Sequence, residues 1–172
     1  MPPSFRRIVT GRNAVGRSVV ASDTAIPLND IGLAEFWQTA ESPARIDADG
    51  AIDPAAPRLE PPPQGTIFRC FALPPEEPGL TREEAERRMA DVFARMGGGH
   101  CRVDTRRHPM MHTTRSIDYV MLLSGRVSLL LDEGEEVPLK PFDVVVQRGT
   151  NHSWINRGKE PALLMAVLVD AG

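Results

Sequence analysis

The sequence predicts a mainly β protein, an antiparallel barrel of short strands with one α-helix placed ahead of the strands that carry its chemistry. Between residues 112 and 156, short apolar runs at 119–123, 127–131 and 144–146 alternate with turn residues at 124–125, 132–134 and 141–143. That is the pattern of strands joined by tight turns. Side chains able to do chemistry cluster at the two ends of this stretch, in HTTRSIDY and in QRGTNHSW. A barrel whose first and last strands are neighbours brings those ends together. The third observation is that a helical period is clear in one place only, at 81–96.

The elements follow in order. Residues 1–41 are expected to be N-terminal strands: RRIVTGRNAVGRSVVA places two β-like runs around Gly11 and Gly16, a hairpin signal. IGLAEFWQT fits two patterns, a helix through Leu33, Phe36 and Trp37 or a strand in which Leu33, Glu35 and Trp37 alternate; the turn-rich flanks and the lack of a convincing helix cap favour the strand. Residues 42–64 are rich in Pro and Ala and end in Pro61-Pro62-Pro63, a composition that cannot bury enough apolar area to order as helix or strand. Residues 65–172 are expected to form the barrel, opening with GTIFRCFAL, apolar on both faces. Thr81 and Glu84 make a capping box, and Gly97-Gly98-Gly99 stops the helix. Leu80, Met89, Val92, Phe93 and Met96 form its packing stripe, and Glu83–Arg87, Glu84–Arg88 and Asp91–Arg95 are spaced for ion pairs. ALLMAVLV, near the end, belongs in the core.

A chain of 172 residues suits one domain with a single core. The net charge of -3, with arginines spread along the chain, provides no basic field for nucleic acid. No apolar run approaches the ~20 residues of a membrane-spanning helix, and Arg6-Arg7 is not followed by the apolar core of a signal peptide. Cys70 and Cys101 lie far apart in no CxxC pattern, so reduced thiols and a cytoplasmic location are expected.

The stretch HTTRSIDYVMLLSG, followed by DEGEEVPLKPFDVVVQRGTNHSWIN, resembles the two motifs of the cupin superfamily. It is similar to a group of small single-domain cupins with an HRTxSxDY…VQRGTNHxWxN signature. The resemblance implies a double-stranded β-helix, or jelly roll, and a homodimer in which residues 6–40 supply the contact. By position, His112 falls on the first ligand histidine of the family, Thr114 on the second, Asp118 on the glutamate, and His152 on the histidine of the second motif. Gln147 stands at that motif's proline, and Gly149 and Asn156 match it. Phe142 stands where a glycine is usual.

His112, Asp118 and His152 are therefore the candidate catalytic residues, and the same three would form a two-His, one-carboxylate set for Fe(II), Mn(II) or Zn(II). Thr114 is a poor ligand, and aspartate is a methylene shorter than glutamate. The competing reading makes both histidines hydrogen-bonded pocket residues, with Asp118 fixing a tautomer and serving in a general base. Thr114, Arg115, Gln147 and Trp154 are the candidate pocket residues, with Arg115 either a carboxylate receptor or a surface arginine at the barrel mouth. Tyr119 should face away. His100, His108 and the run Arg102, Arg106, Arg107 read as surface. Three functions fit: an enzyme of lyase, isomerase or decarboxylase type on a small organic acid or oxygenated metabolite, an Fe(II)-dependent dioxygenase, and a non-catalytic small-molecule-binding cupin.

Overall fold

A computed structural model describes residues 4–53 and 56–171. The chain opens with a hairpin of β1 (Ser4–Arg12) and β2 (Ser18–Pro27), which pair antiparallel with each other and with no further strand among the described residues. Asn13 builds its turn, its side-chain oxygen accepting the N–H of Val15 and of Arg17. Asn29 repeats the device, accepting from Ile31 and Leu33, and so aims the chain into β3 (Leu33–Thr39). The alternation in IGLAEFWQT is thus a strand, with a bulge between Glu35 and Trp37.

The strands β4 (Thr66–Leu73), β5 (Ser116–Ser124), β8 (Val144–Arg148) and β10 (Ala162–Asp170) join β3 in a five-stranded antiparallel sheet of order β3-β4-β10-β5-β8. A second sheet has the order β7-β6-β9, from β6 (Val127–Leu131), β7 (Val137–Leu139) and β9 (His152–Asn156). The core lies between them. Ile67, Val120, Leu122, Leu164 and Leu168 from the larger sheet meet Val127, Leu129 and Trp154 from the smaller, each such burial contributing about 1.5–3 kcal/mol. The architecture is the expected jelly roll, with its two sheets separate in hydrogen bonding rather than closed into one ring.

Side-chain alternation sets what faces the interior. From Ala162 to Val169 the burial alternates strictly although this part of β10 is apolar throughout, because its outer face is apolar too. Met165 and Val167 line a shallow outer groove with Phe68, Tyr119, Met121 and Val144. Tyr119 does face outward, 52 % exposed.

The helix α1 (Arg82–Arg95) starts on the expected capping box at Thr81 and Glu84. Its expected ion pairs do not form as spaced. Glu84 is taken up by the cap, Arg88 reaches Glu77, Arg95 reaches Asp30, and the i,i+4 pair is Arg82–Glu86. Phe93 and Met96 pack with Leu33, Leu59 and Cys101. Leu59 anchors the end of the Pro/Ala-rich segment, which has no helix or strand in its described residues. The Leu59 N–H donates to Met96 O at 2.9 Å. A Cβ at Gly98 would lie 2.5 Å from the Leu59 side chain, so glycine is needed there. Phe142, at the usual glycine position, has φ 75. Its turn still requires the left-handed conformation, and phenylalanine adopts it under strain.

Candidate active site

The two ends of the motif stretch meet as expected. His112 precedes β5, His152 opens β9, and their backbones exchange two hydrogen bonds, N to O, at 2.9 and 3.0 Å. The imidazole centroids stand 4.2 Å apart, flanked by Phe93 at 4.8 Å from His112 and by Trp154 at 5.5 Å from His152. Burial pushes both imidazoles well below their ordinary range, His112 to about 4 and His152, next to His112, to about 3. Both are therefore neutral near pH 7.

A tautomer follows from the neighbours. The Nδ1 of His112 lies 2.8 Å from Met110 O, and the Nδ1 of His152 lies 3.0 Å from Thr150 O. A carbonyl only accepts, so Nδ1 carries the proton and Nε2 keeps its lone pair in each ring. Among the described residues no hydrogen bond engages either Nε2. The tautomer is thus fixed by the carbonyl two residues earlier in each case. Asp118, expected to fix it, takes no part.

Asp118 is buried on β5, and its Oδ1 has no hydrogen-bond partner. Burial raises its carboxyl to about 6, opposed by Ser116 and the charge of Arg69 and reinforced by Glu60. Ser116 also donates to Thr114 Oγ1 at 2.9 Å, and one hydroxyl proton cannot serve both acceptors at once. The donor atoms of His112, Asp118 and His152 do not gather within 4.8 Å of one another; among the described residues the group that does is Glu60, His100 and Cys101.

Thr114, Gln147 and Trp154 are buried. Gln147 Nε2 donates to Thr150 O at 2.7 Å and to Thr150 Oγ1 at 2.6 Å. Arg115 is exposed, and its backbone N–H donates to Glu60 Oε1 at 2.7 Å. The buried guanidinium belongs instead to Arg69 on β4, opposite Glu35 on β3. Their charges meet at 2.9 Å, but off hydrogen-bonding direction: both Glu35 oxygens and Arg69 Nε lack a hydrogen bond. Burial pushes both towards neutrality, Arg69 down and Glu35 up, each resisted by the other. Arg69 also donates to Arg58 O. The signal for this pair was one charged residue in each of two otherwise apolar strands.

The expected surface residues are more engaged than their spacing implies. His108 contacts Glu76 at 3.0 Å and Ser153 Oγ at 2.9 Å. Arg102 lies over the Phe93 ring and donates to Glu86 and Pro109 O. Arg106 and Arg107 border an open cleft of about 500 Å³ with Asp104, Met111, Asp132 and Glu133, none of them an expected site residue.

Two facing antiparallel sheets, with histidines paired on adjoining strand ends, are consistent with a cupin fold. The family profile described as "Cupin domain" matches residues 99–168, so the chain carries a cupin domain over those residues. Over 48 residues it is 58% identical to phomopsin biosynthesis cluster protein C' of Diaporthe leptostromiformis, covering 28% of this chain and 25% of that protein. Over 63 residues it is 40% identical to a cupin-domain-containing oxidoreductase, fogC, of Aspergillus ruber, covering 35% of this chain and 31% of the relative. The chain therefore spans only about a quarter to a third of the length of these relatives. Among solved structures, a Cupin 2 conserved barrel domain protein from Salinispora arenicola aligns with a TM-score of 0.39 at 16% identity, over 85% of this chain and 82% of that one. No helix among the described residues is long and apolar enough to cross a membrane.

Proposed function

We propose that the protein is a cupin enzyme that transforms a small oxygenated metabolite in its barrel interior, by proton-transfer chemistry of lyase, isomerase or decarboxylase type. The observation that carries this reading is the pair of buried, neutral imidazoles, each with Nδ1–H held by a carbonyl and Nε2 left without a partner. Carbonyl-anchored imidazoles are the usual outer support of metal-ligating histidines. The donor set fits a divalent metal, Fe(II), Mn(II) or Zn(II), held by His112 and His152. When bound, such a metal would supply Lewis-acid polarisation of a substrate oxygen.

The interior charges favour the same reading. Glu35 and Asp118 stand against the single guanidinium of Arg69, so the interior is short of positive charge. A cation relieves this, whereas a free organic anion adds to it. Asp118, with its unpaired oxygen and its carboxyl near 6, is the group that takes or returns a proton close to neutral pH. Gln147 and Trp154 orient the bound molecule as polar and aromatic walls.

A second reading, an Fe(II)-dependent dioxygenase, draws on the name oxidoreductase printed for the Aspergillus ruber relative and requires Asp118 to move towards the imidazoles to serve as third ligand. The homodimer expected from residues 6–40 is supported by the hairpin's lack of further strand partners and by Tyr119, Val144 and Val146 exposed on the outer face. Light scattering would report a dimer mass.

The test is metal content by mass spectrometry of untagged protein and of the His112→Ala/His152→Ala variant, before and after reconstitution with each ion. About one equivalent more metal in the parent supports the histidine site, and oxygen uptake then separates the two chemistries. Equal metal in both proteins sinks both metal readings and leaves the site as a ligand pocket, which a thermal-shift screen would address.

A further inference from the structure

Three side chains outside the barrel interior converge on one small volume. Glu60 comes from the Pro/Ala-rich segment, and His100 and Cys101 from the 3-10 turn Gly99–Cys101. Their donor atoms lie within 4.8 Å of one another. His100 Nε2 is 2.9 Å from Glu60 Oε2 and 3.5 Å from Cys101 Sγ.

The arrangement excludes the first alternative, a nucleophilic triad. A thiol–imidazole–carboxylate relay needs the thiol on one ring nitrogen and the carboxylate on the other. Here both partners face the same Nε2. The thiol is also pushed up to about 11 by burial and by Glu60, which makes it a poor free nucleophile. Three different donors aimed at one point, with one nitrogen shared, is instead the geometry of ligands around a cation.

We propose that Glu60, His100 and Cys101 form a second divalent-metal site, of Zn(II) type, which fastens the end of the Pro/Ala-rich segment to the turn that precedes the motif strands. With M–S of about 2.3 Å and M–N of about 2.0–2.1 Å, tetrahedral coordination separates S and N by about 3.5 Å. The Sγ···Nε2 separation already has that value, 3.5 Å. Glu60 Oε2 would move outward by roughly half an ångström to make room. A set of one thiolate, one imidazole and one carboxylate suits Zn(II) or Co(II) and rejects Mg(II) and Ca(II). The approach is from solvent, since the His100 side chain is 67% exposed while Cys101 forms the buried floor. Binding releases the thiol proton to the solvent and leaves a metal thiolate. The free oxygen of Glu60 is already committed to the N–H of Arg115 at 2.7 Å. The metal would therefore join the segment, the turn and the entry to β5 in one cluster.

Co(II) titration of the reduced, full-length chain tests this, because a thiolate–Co(II) bond gives a charge-transfer band in the near ultraviolet. The expected result is a band that saturates at one Co(II) per site, is erased by Zn(II), and survives both Cys70→Ser and the His112→Ala/His152→Ala pair. Survival in that pair separates this site from the barrel interior, where no cysteine has been placed. Cys101→Ser should abolish the band. His100→Gln, at an exposed position that leaves the core intact, should raise the Co(II) needed for half-saturation roughly ten-fold or more, the scale on which even an outer partner's loss weakens metal binding. No charge-transfer band in the parent chain, or a band unchanged by His100→Gln, would overturn the proposal.

Discussion

Two aspartates, Asp104 and Asp118, are displaced in opposite directions. At the cleft on the perimeter, Asp104 accepts from the backbone and guanidinium of Arg106, which hold its carboxyl down at about 2. In the interior, burial lifts Asp118 to about 6, and one oxygen stays unpaired. The same side chain is a fixed anion in one region and a proton exchanger in the other. The surroundings, an arginine's hydrogen bonds at Asp104 and burial at Asp118, and not residue type, set the difference.

The sharpest way to break this contrast is to remove the interior cation. Arg69→Met leaves Glu35 buried without its partner and should cost about 3–5 kcal/mol in urea unfolding. Arg69→Met/Glu35→Leu, which removes both charges, should recover most of that loss.

Next in size is the response to acid. A histidine depressed below its unfolded value, about 6.5, contributes stability that is complete above that pH. That stability is lost as pH falls towards about 4 for His112 and about 3 for His152. Asp118, raised in the fold, acts in the opposite sense: its contribution is present below its unfolded value, about 3.9, and fades as pH rises to about 6. Two histidines outweigh one carboxyl. The melting temperature should therefore drop between pH 6.5 and pH 4, and drop less steeply in His152→Gln.

Titration of labelled aspartate carboxyls by nuclear magnetic resonance sharpens the contrast directly. The midpoint expected for Asp118 is about 6 and that for Asp104 about 2; coincident midpoints would erase the distinction. The smallest effect belongs to the turn at Phe142. Phe142→Gly removes left-handed strain from an exposed residue and should stabilise the fold by up to about 1 kcal/mol.

The sequence carries the local half of this picture. Strands β5, β6 and β8, the capped helix and the outward face of Tyr119 follow from periodicity and turn chemistry, which act over a few residues. The pairing of His112 with His152 follows from the motifs. What escapes such a reading depends on distant placement. Arg69 enters the interior because its place in β4 puts it on the buried face with Ile67, whereas Arg115 lies just before β5 and is exposed. Glu60 sits in a segment with no periodicity at all, so nothing local points it at His100. The expected pairs Glu84–Arg88 and Asp91–Arg95 give way to the cap, Glu77 and Asp30, which take up Glu84, Arg88 and Arg95.

The mutual bridge between His112 and His152 has a consequence for exchange kinetics. Each residue's amide hydrogen is donated to the other's carbonyl, so the hydrogen bonds that join the two ends of the motif stretch also join the two imidazole-bearing residues. These amides cannot open without parting the strand ends they join, and they are expected to exchange with deuterium only when that unit opens. A ligand seated on the imidazoles would slow that exchange across the whole cooperative unit, by the full free energy of its binding. Occupancy of the site can then be measured from the backbone without knowing the reaction.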